Sequence, residues 1–167
     1  MVQVRVAGVA LDTTGQHVIL LQPMDALPGE SRLLPIWIGA MEATSIMVAI
    51  EGADTPRPLT HDLLRTMLET LGATVDKVEV TRIDDGTFYA EITVTAGGAV
   101  HSIDARPSDA VALASRTDAP IFVADEVLAE AGVEDVITEA EAEAEAEADV
   151  EEFSKFIEHV DPDDFKE

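Results

Sequence analysis

At 167 residues the chain can bury one substantial core, and a formal charge of -24, from 34 acidic and 10 basic residues, denies it the basic footprint through which proteins hold nucleic acid by counterion release. The same acidity argues against docking on an anionic membrane surface. Zero cysteines exclude disulfides, thiolate zinc sites and a cysteine nucleophile, so any metal has to be held by oxygen and imidazole.

"VQVRVAGVAL" (2–11) alternates Val2, Val4 and Val6 against Gln3, Arg5 and Ala7, the period of a half-buried strand. "HVILLQP" (17–23) and "LLPIWIG" (33–39) are shorter runs of branched apolar residues bounded by Gly and Pro, and read as further strands. "GAMEATSIMVAIEG" (39–52) sets Ala43, Ile46, Met47 and Ile50 at helical spacing, with Gly52 placed to cap the C-terminus. Thr60 is then the predicted N-cap of "HDLLRTMLETLG" (61–72), in which Leu64, Met67, Leu68 and Leu71 form one stripe. "TVDKVEVTRIDDGTFYAEITVT" (74–95) joins two alternating runs through Asp85-Gly86, a tight-hairpin signal, and "AVHSIDA" (99–105) adds a third strand after Gly97-Gly98. A short helix from Ser108, a strand "PIFVA" (120–124) and a helix "DEVLAEAG" (125–132) complete the core. Trp37, Phe88 and Tyr89 fall on predicted strands and read as core or interface residues, not as base-stacking platforms. Helices interrupt clustered strands without strict βαβ alternation, which predicts an α+β fold: a compact single domain over residues 1–133 with a mixed or antiparallel sheet and flanking helices.

The remainder differs in kind. Residues 134–167 hold 15 acidic and 2 basic residues. "EAEAEAEAEA" (139–148) scatters glutamates around any helix it forms and leaves no wide apolar stripe, so 134–149 reads as an acidic, solubilising spacer. Val150, Phe153, Ile157 and Val160 recur at helical spacing, which predicts an amphipathic helix within 150–167 that docks on its own core, a sister subunit or a protein partner. Together these segments form an acidic C-terminal helical extension. No apolar run approaches eighteen residues and no charged-then-apolar amino terminus is present, so a cytoplasmic protein with no membrane association is expected.

Two stretches carry the chemistry. "PRPLTHDLL" (56–64) and "IDARPSDAVAL" (103–113) each set an Arg-Pro pair and an aspartate at the mouth of an apolar helical run. Helix N-termini offer unpaired N–H groups to an anion, and Arg57 and Arg106 can grip phosphate oxygens bidentately, with Thr60 and Ser108 beside them as substrate-binding residues. His61 is the candidate general base, with Asp62 and Glu42 as its catalytic companions. Glu42, Asp62, Asp104 and Asp109 supply carboxylate oxygens for a magnesium or manganese ion; Asp104, Asp109 and Glu42 form the candidate metal set. A plainer reading stands beside each role. Pro58 and Pro107 suit helix entrances, Thr60 and Ser108 suit caps, Asp62 and Asp109 complement the helix dipole, and the arginines have Asp62, Asp104 and Asp109 as ion-pair partners. His17, His101 and His159 lack ligand spacing.

"LPIWIGAMEA", "PRPLTHDLL", "DGTFYAEI", "IDARPSDAVALA" and "PIFVADEVL", in this order and spacing, closely resemble the bifunctional nuclease domain family, over about residues 2–132. The resemblance implies a compact α+β domain that self-associates as a dimer or higher homo-oligomer, and action on both DNA and RNA. Placed on those motifs, the residue chemistry gives phosphodiester hydrolysis with little sequence preference, assisted by a divalent cation. The rival from another class is a non-enzymatic oligomeric regulator that binds a protein partner or a small phosphorylated ligand, which the charge of -24 favours.

Overall fold

In the computed structural model, residues 1–25 and 32–134 are described. The spacer and amphipathic helix predicted for 134–167 lie, beyond Glu134, outside the described residues.

The chain opens with three antiparallel strands, β1 (Val2–Leu11), β2 (His17–Pro23) and β3 (Arg32–Ile38). Alternation in β1 does what the sequence asks: Val4 is buried between exposed Gln3 and Arg5. Two helices follow, α1 (Ala40–Glu51) and α2 (Thr60–Thr70). Gly52 ends α1 at φ 60°, the left-handed conformation that glycine adopts without Cβ strain. Thr60 is not the cap of α2. The cap position belongs to Leu59, and Thr60 is the first helical residue; the orphan N–H of Leu59 is instead satisfied by the Asp62 carboxylate reaching back from the first turn, at 2.7 Å.

The predicted hairpin forms as β4 (Ala73–Asp84) and β5 (Thr87–Ala96), and Asp85 and Gly86 both take positive φ at its turn. β6 (Ala99–Ala105) pairs antiparallel with β5, α3 (Pro107–Thr117) follows, and β7 (Ile121–Val123) inserts parallel to β4 and antiparallel to β1. α4 (Asp125–Ala131) and β8 (Val133–Glu134) close the described chain. β8 pairs with β3, with Glu134 opposite Arg32. The result is one mixed eight-stranded sheet, ordered β6-β5-β4-β7-β1-β2-β3-β8, flanked by helices, an α+β fold. The sheet curls, because α4 touches both β3 and β4 although β7, β1 and β2 lie between them.

α3 is the hub. It packs on β4, β5, α1 and α2, and Ala110, Val111, Ala112, Leu113 and Ala114 are all buried. Its run of small residues lets two helices approach closely enough for side chains on three helices to share hydrogen bonds. Ile19, Leu21, Leu34, Ile46 and Leu113 are fully buried, each contributing about 1.5–3 kcal/mol through its apolar area. The stripe predicted for α2 is only partly absorbed: Leu68 packs on the core, whereas Leu64, Met67 and Leu71 stay exposed, as do Met47 and Ile50 of α1. Among the described residues, no helix is long and apolar enough to cross a membrane.

Candidate active site

A cleft of about 240 Å³ opens where α1 and the N-termini of α2 and α3 meet; Glu42, Ser45, Thr60, His61, Arg106 and Asp109 line it. The two helix entrances therefore converge, but with different residues from those their arginines suggest.

His61 lies in the first turn of α2 with its side chain only 10% exposed. Its Nδ1 is 2.8 Å from Ser45 Oγ, and its Nε2 is 3.1 Å from Asp109 Oδ1. Burial works against ionisation of Asp109, yet hydrogen bonds from Arg106 and His61, reinforced by their charge, hold its carboxyl below the usual range. An ionised carboxylate only accepts, so His61 Nε2 carries the hydrogen toward Asp109. That leaves Nδ1 as the nitrogen whose protonation can change, and its partner is the Ser45 hydroxyl, which both donates and accepts. Ser45, His61 and Asp109 thus form a hydroxyl–imidazole–carboxylate relay across α1, α2 and α3.

Arg106 continues the chain. Its Nε and Nη2 donate to Asp109 at 2.7 and 3.0 Å, and Nη1 lies 2.9 Å from Glu42 Oε1. Asp109 first and Glu42 second hold the guanidinium protonated more firmly still. Of its five N–H donors three are used, so two stay uncommitted among the described residues, on a side chain 65% exposed at the cleft. Glu42 reaches Arg106 by folding back over the start of α1. A Cβ at position 39 would collide with the Glu42 carboxylate, so Gly39 leaves the room for that turn.

Beneath the relay lies a second, more buried pair. Arg116, in the last turn of α3 and 4% exposed, donates from Nε to Asp62 Oδ1 at 2.5 Å, from Nη1 to the Ala112 carbonyl and from Nη2 to the Ser45 carbonyl at 3.0 Å. Asp62 is thus turned toward Arg116 and its own helix cap, and it does not line the cleft. The Arg116 hydrogen bond, assisted by that of the Leu59 N–H and by the charge of Arg116 and Arg65, lowers the Asp62 pKa against the opposing effect of burial. A carboxylate with a depressed folded pKa adds stability above its unfolded value, about pH 4, and loses that contribution as pH falls through the folded value. Urea titrations at stepped pH should therefore show Asp62→Asn shallower in its loss of stability below about pH 4 than the parent. Parallel acid curves for the two would remove Asp62 from that role.

The other sequence candidates lie apart. Arg57 lines a separate depression together with Asp62, Arg65 and Arg116, and among the described residues its guanidinium has no hydrogen-bond or ion-pair partner. Asp104 sits on β6 opposite Glu91, outside the cleft. Ser108 is buried at the start of α3 and lines a neighbouring groove, whereas Thr60 is exposed at the cleft rim. Glu42 and Asp109, the two members of the expected metal set at the cleft, are both engaged by Arg106, and among the described residues no three His, Asp or Glu side chains converge as ligands. As arranged, these residues do not fit a magnesium or manganese centre. Sequence reading missed Ser45 and Arg116. The signal for Ser45 was a hydroxyl interrupting the apolar run of α1 beside Ile46; for Arg116, its sixth and seventh neighbours upstream, Ala110 and Asp109, gave no hint of a partner on α2.

The family model for the bifunctional nuclease domain matches residues 19–136, a span that contains α1, α2, α3 and every residue lining the cleft. The chain belongs to the bifunctional nuclease domain family. It is similar to a Mycobacterium tuberculosis (strain ATCC 25618 / H37Rv) protein, "Uncharacterized protein Rv1829", at 40% identity over 169 residues, covering 99% of each chain. It is also similar to Bifunctional nuclease 1 of Oryza sativa subsp. japonica, 32% identical over 117 residues, which is 67% of this chain and 34% of the rice protein. Bifunctional nuclease 2 of Arabidopsis thaliana is 32% identical over 98 residues, 57% of this chain and 30% of that protein. The plant proteins that carry the nuclease name are thus matched over about a third of their length.

Proposed function

We propose that this member of the bifunctional nuclease family hydrolyses phosphodiester bonds of DNA and RNA with little sequence preference, in the cleft between α1, α2 and α3. The observation that carries the reading is the relay from Ser45 through His61 to Asp109, which ends against an exposed arginine with two donors uncommitted among the described residues. Arg106 binds the non-bridging phosphate oxygens and offsets the charge that develops on them. A water bound at Ser45 attacks phosphorus. As its O–P bond forms, its proton passes to Ser45 Oγ while the Ser45 proton passes to His61 Nδ1, and Asp109 stabilises the imidazolium. The ester P–O bond breaks, the leaving alkoxide takes a proton from a solvent water, and the hydroxide this leaves is neutralised by the His61 proton, which restores the neutral imidazole. No step is routed through a metal, and magnesium, manganese and chelator are arms of the test.

The measurement is cleavage of end-labelled single- and double-stranded DNA and RNA by purified protein, each with magnesium, manganese or chelator, beside Arg106→Ala prepared identically. Arg106→Ala should lower kcat/KM by about a hundredfold or more on all substrates, as loss of one strong donor to a developing oxyanion does. Equal rates in the two preparations refute the site, and absence of cleavage in either favours the regulatory reading. The homo-oligomer implied by the family is proposed on the exposed Leu64, Met67 and Leu71 of α2, and sedimentation of the full chain at several concentrations tests it.

A further inference from the structure

Trp37 is the single tryptophan of the chain; the sequence reads it as a core or interface residue and not as a base-stacking platform, and at 54% exposed it is not in the core. Phe88 and Tyr89 follow the expectation better: Phe88 packs against the core and Tyr89 carries the Arg82 guanidinium over its ring. Trp37 is exposed because Ile36, its neighbour on β3, takes the buried side of the pleat. It is also tethered. Its indole Nε1 donates to Asp12 Oδ2 at 2.9 Å, while the other oxygen of that carboxylate accepts from Thr14 and Gln16 in the β1–β2 turn. Those hydrogen bonds, Thr14 first, keep Asp12 ionised well below the usual carboxylate range.

Beside Trp37 runs a groove of about 460 Å³, formed where the curled sheet brings the end of β3 against the β4–β5 turn and the start of α3. Thr87, Phe88, Pro107 and Ser108 line it together with Trp37, and Arg106 joins it to the cleft, since Arg106 lines both. On a protein with 34 acidic residues, no carboxylate lines this groove among the described residues, and its one charge is Arg106.

We infer that the groove is a nucleobase subsite: an unpaired base stacks on Trp37 while the adjoining phosphate meets the Arg106 donors that no described residue uses. This rests on the proposed nuclease reading and deepens it, because it names single-stranded nucleic acid, DNA or RNA, as the substrate form. Every base presents a π face, so stacking accepts any sequence, whereas bases inside a duplex are hidden. An indole already fixed by Asp12 loses little freedom on binding. The groove also answers the charge problem. Grip by stacking plus a single arginine needs no basic surface, and with about one phosphate neutralised log K should fall with log salt at a slope of only about -0.7.

Since Trp37 is alone, its emission reports the groove directly. The full chain, in chelator and with phosphorothioate linkages to suppress turnover, is titrated with single-stranded octathymidylate, octauridylate and a self-complementary eight-base-pair DNA duplex. Saturable quenching by about half with the single strands, and little with the duplex, is expected; the two single-strand arms show whether DNA or RNA is preferred. Trp37→Ala, read by anisotropy of labelled octathymidylate, should weaken binding about tenfold with a melting temperature within a few degrees of the parent, and Trp37→Phe should restore most of it. Absent quenching, equal quenching by duplex, or emission that changes with protein concentration alone, as burial by a second copy gives, overturns the subsite. Failure here alongside active cleavage removes only the groove; quenching without cleavage removes only the nuclease reading.

Discussion

His61→Gln should lower cleavage by about two to four orders of magnitude while the protein remains folded. The size follows from the two contacts of the ring. Nε2 is committed to Asp109, and Nδ1 is the site that takes the proton from Ser45. Glutamine can present an N–H toward Asp109 and fill much of the ring's place, but it offers no basic nitrogen at Ser45. Asn at 61 tests the opposite contact, because its shorter amide reaches Ser45 and falls short of Asp109. Both variants leave a buried group short of a partner, at a cost of about 1–3 kcal/mol, so circular dichroism melts must accompany the rates. Non-additivity separates mechanism from general damage. If Ser45 and His61 act as one relay, Ser45→Ala alone should cost nearly as much as His61→Gln, and the double variant little more than either. Losses that multiply would mean two independent roles and would break the relay. Asp109→Asn extends the logic. It keeps the shape but removes the charge that fixes Nε2–H, and it also strips Arg106 of its bidentate partner, so its loss should match or exceed that of His61→Gln.

Much of this architecture is legible without coordinates, and the limits have a physical pattern. Local signals carried through: period-two alternation gave β1, Asp85-Gly86 gave the β4–β5 turn, and Gly52 ended α1. Each depends on residues within one or two turns of chain. The two Arg-Pro motifs were legible as helix entrances, and the fold does bring both helix starts to one cleft. What the sequence hid is which side chain of each motif faces it. Position on a helix start does not fix orientation: Asp62 turns to its own cap and to Arg116, fifty-four residues away, while Arg57 precedes the helix and lines another depression. Ser45 was hidden for a related reason, because a serine in an apolar helix gains a role only from what α2 and α3 bring against it. For Trp37 the sequence left core and interface both open, and the fold removes the core alternative. Strand membership fixes a period but not which face the curled sheet leaves open, and that was settled by β2, β3 and the hairpin together.

Arg116→Met should be the most destabilising single substitution near the site, at about 3 kcal/mol, lowering the melting temperature by about 10 °C for a chain of this size. Methionine keeps most of the apolar stem, so the loss measures charge and hydrogen bonds, not cavity. Arg116 is 4% exposed and its partner Asp62 is 26% exposed, so removing the guanidinium strands a carboxylate that water reaches only in part. The Ala112 and Ser45 carbonyls lose the guanidinium as a donor at the same time, keeping only their helical N–H partners. Asp62→Asn should cost less, because the one amide oxygen of asparagine still accepts from either the Leu59 N–H or Arg116, no bare charge is stranded, and the arginine keeps two backbone acceptors. In the double variant the stranded charge is gone, so its loss should fall short of the sum of the singles by about 1 kcal/mol or more. The effect should also reach the cleft. Arg116 holds the backbone of Ser45 from below, so at a temperature where Arg116→Met is fully folded its cleavage should still drop severalfold, through kcat more than KM. A variant that loses less than about 1 kcal/mol, or one that is destabilised yet cleaves at the parent rate when folded, would uncouple the buried pair from the relay above it.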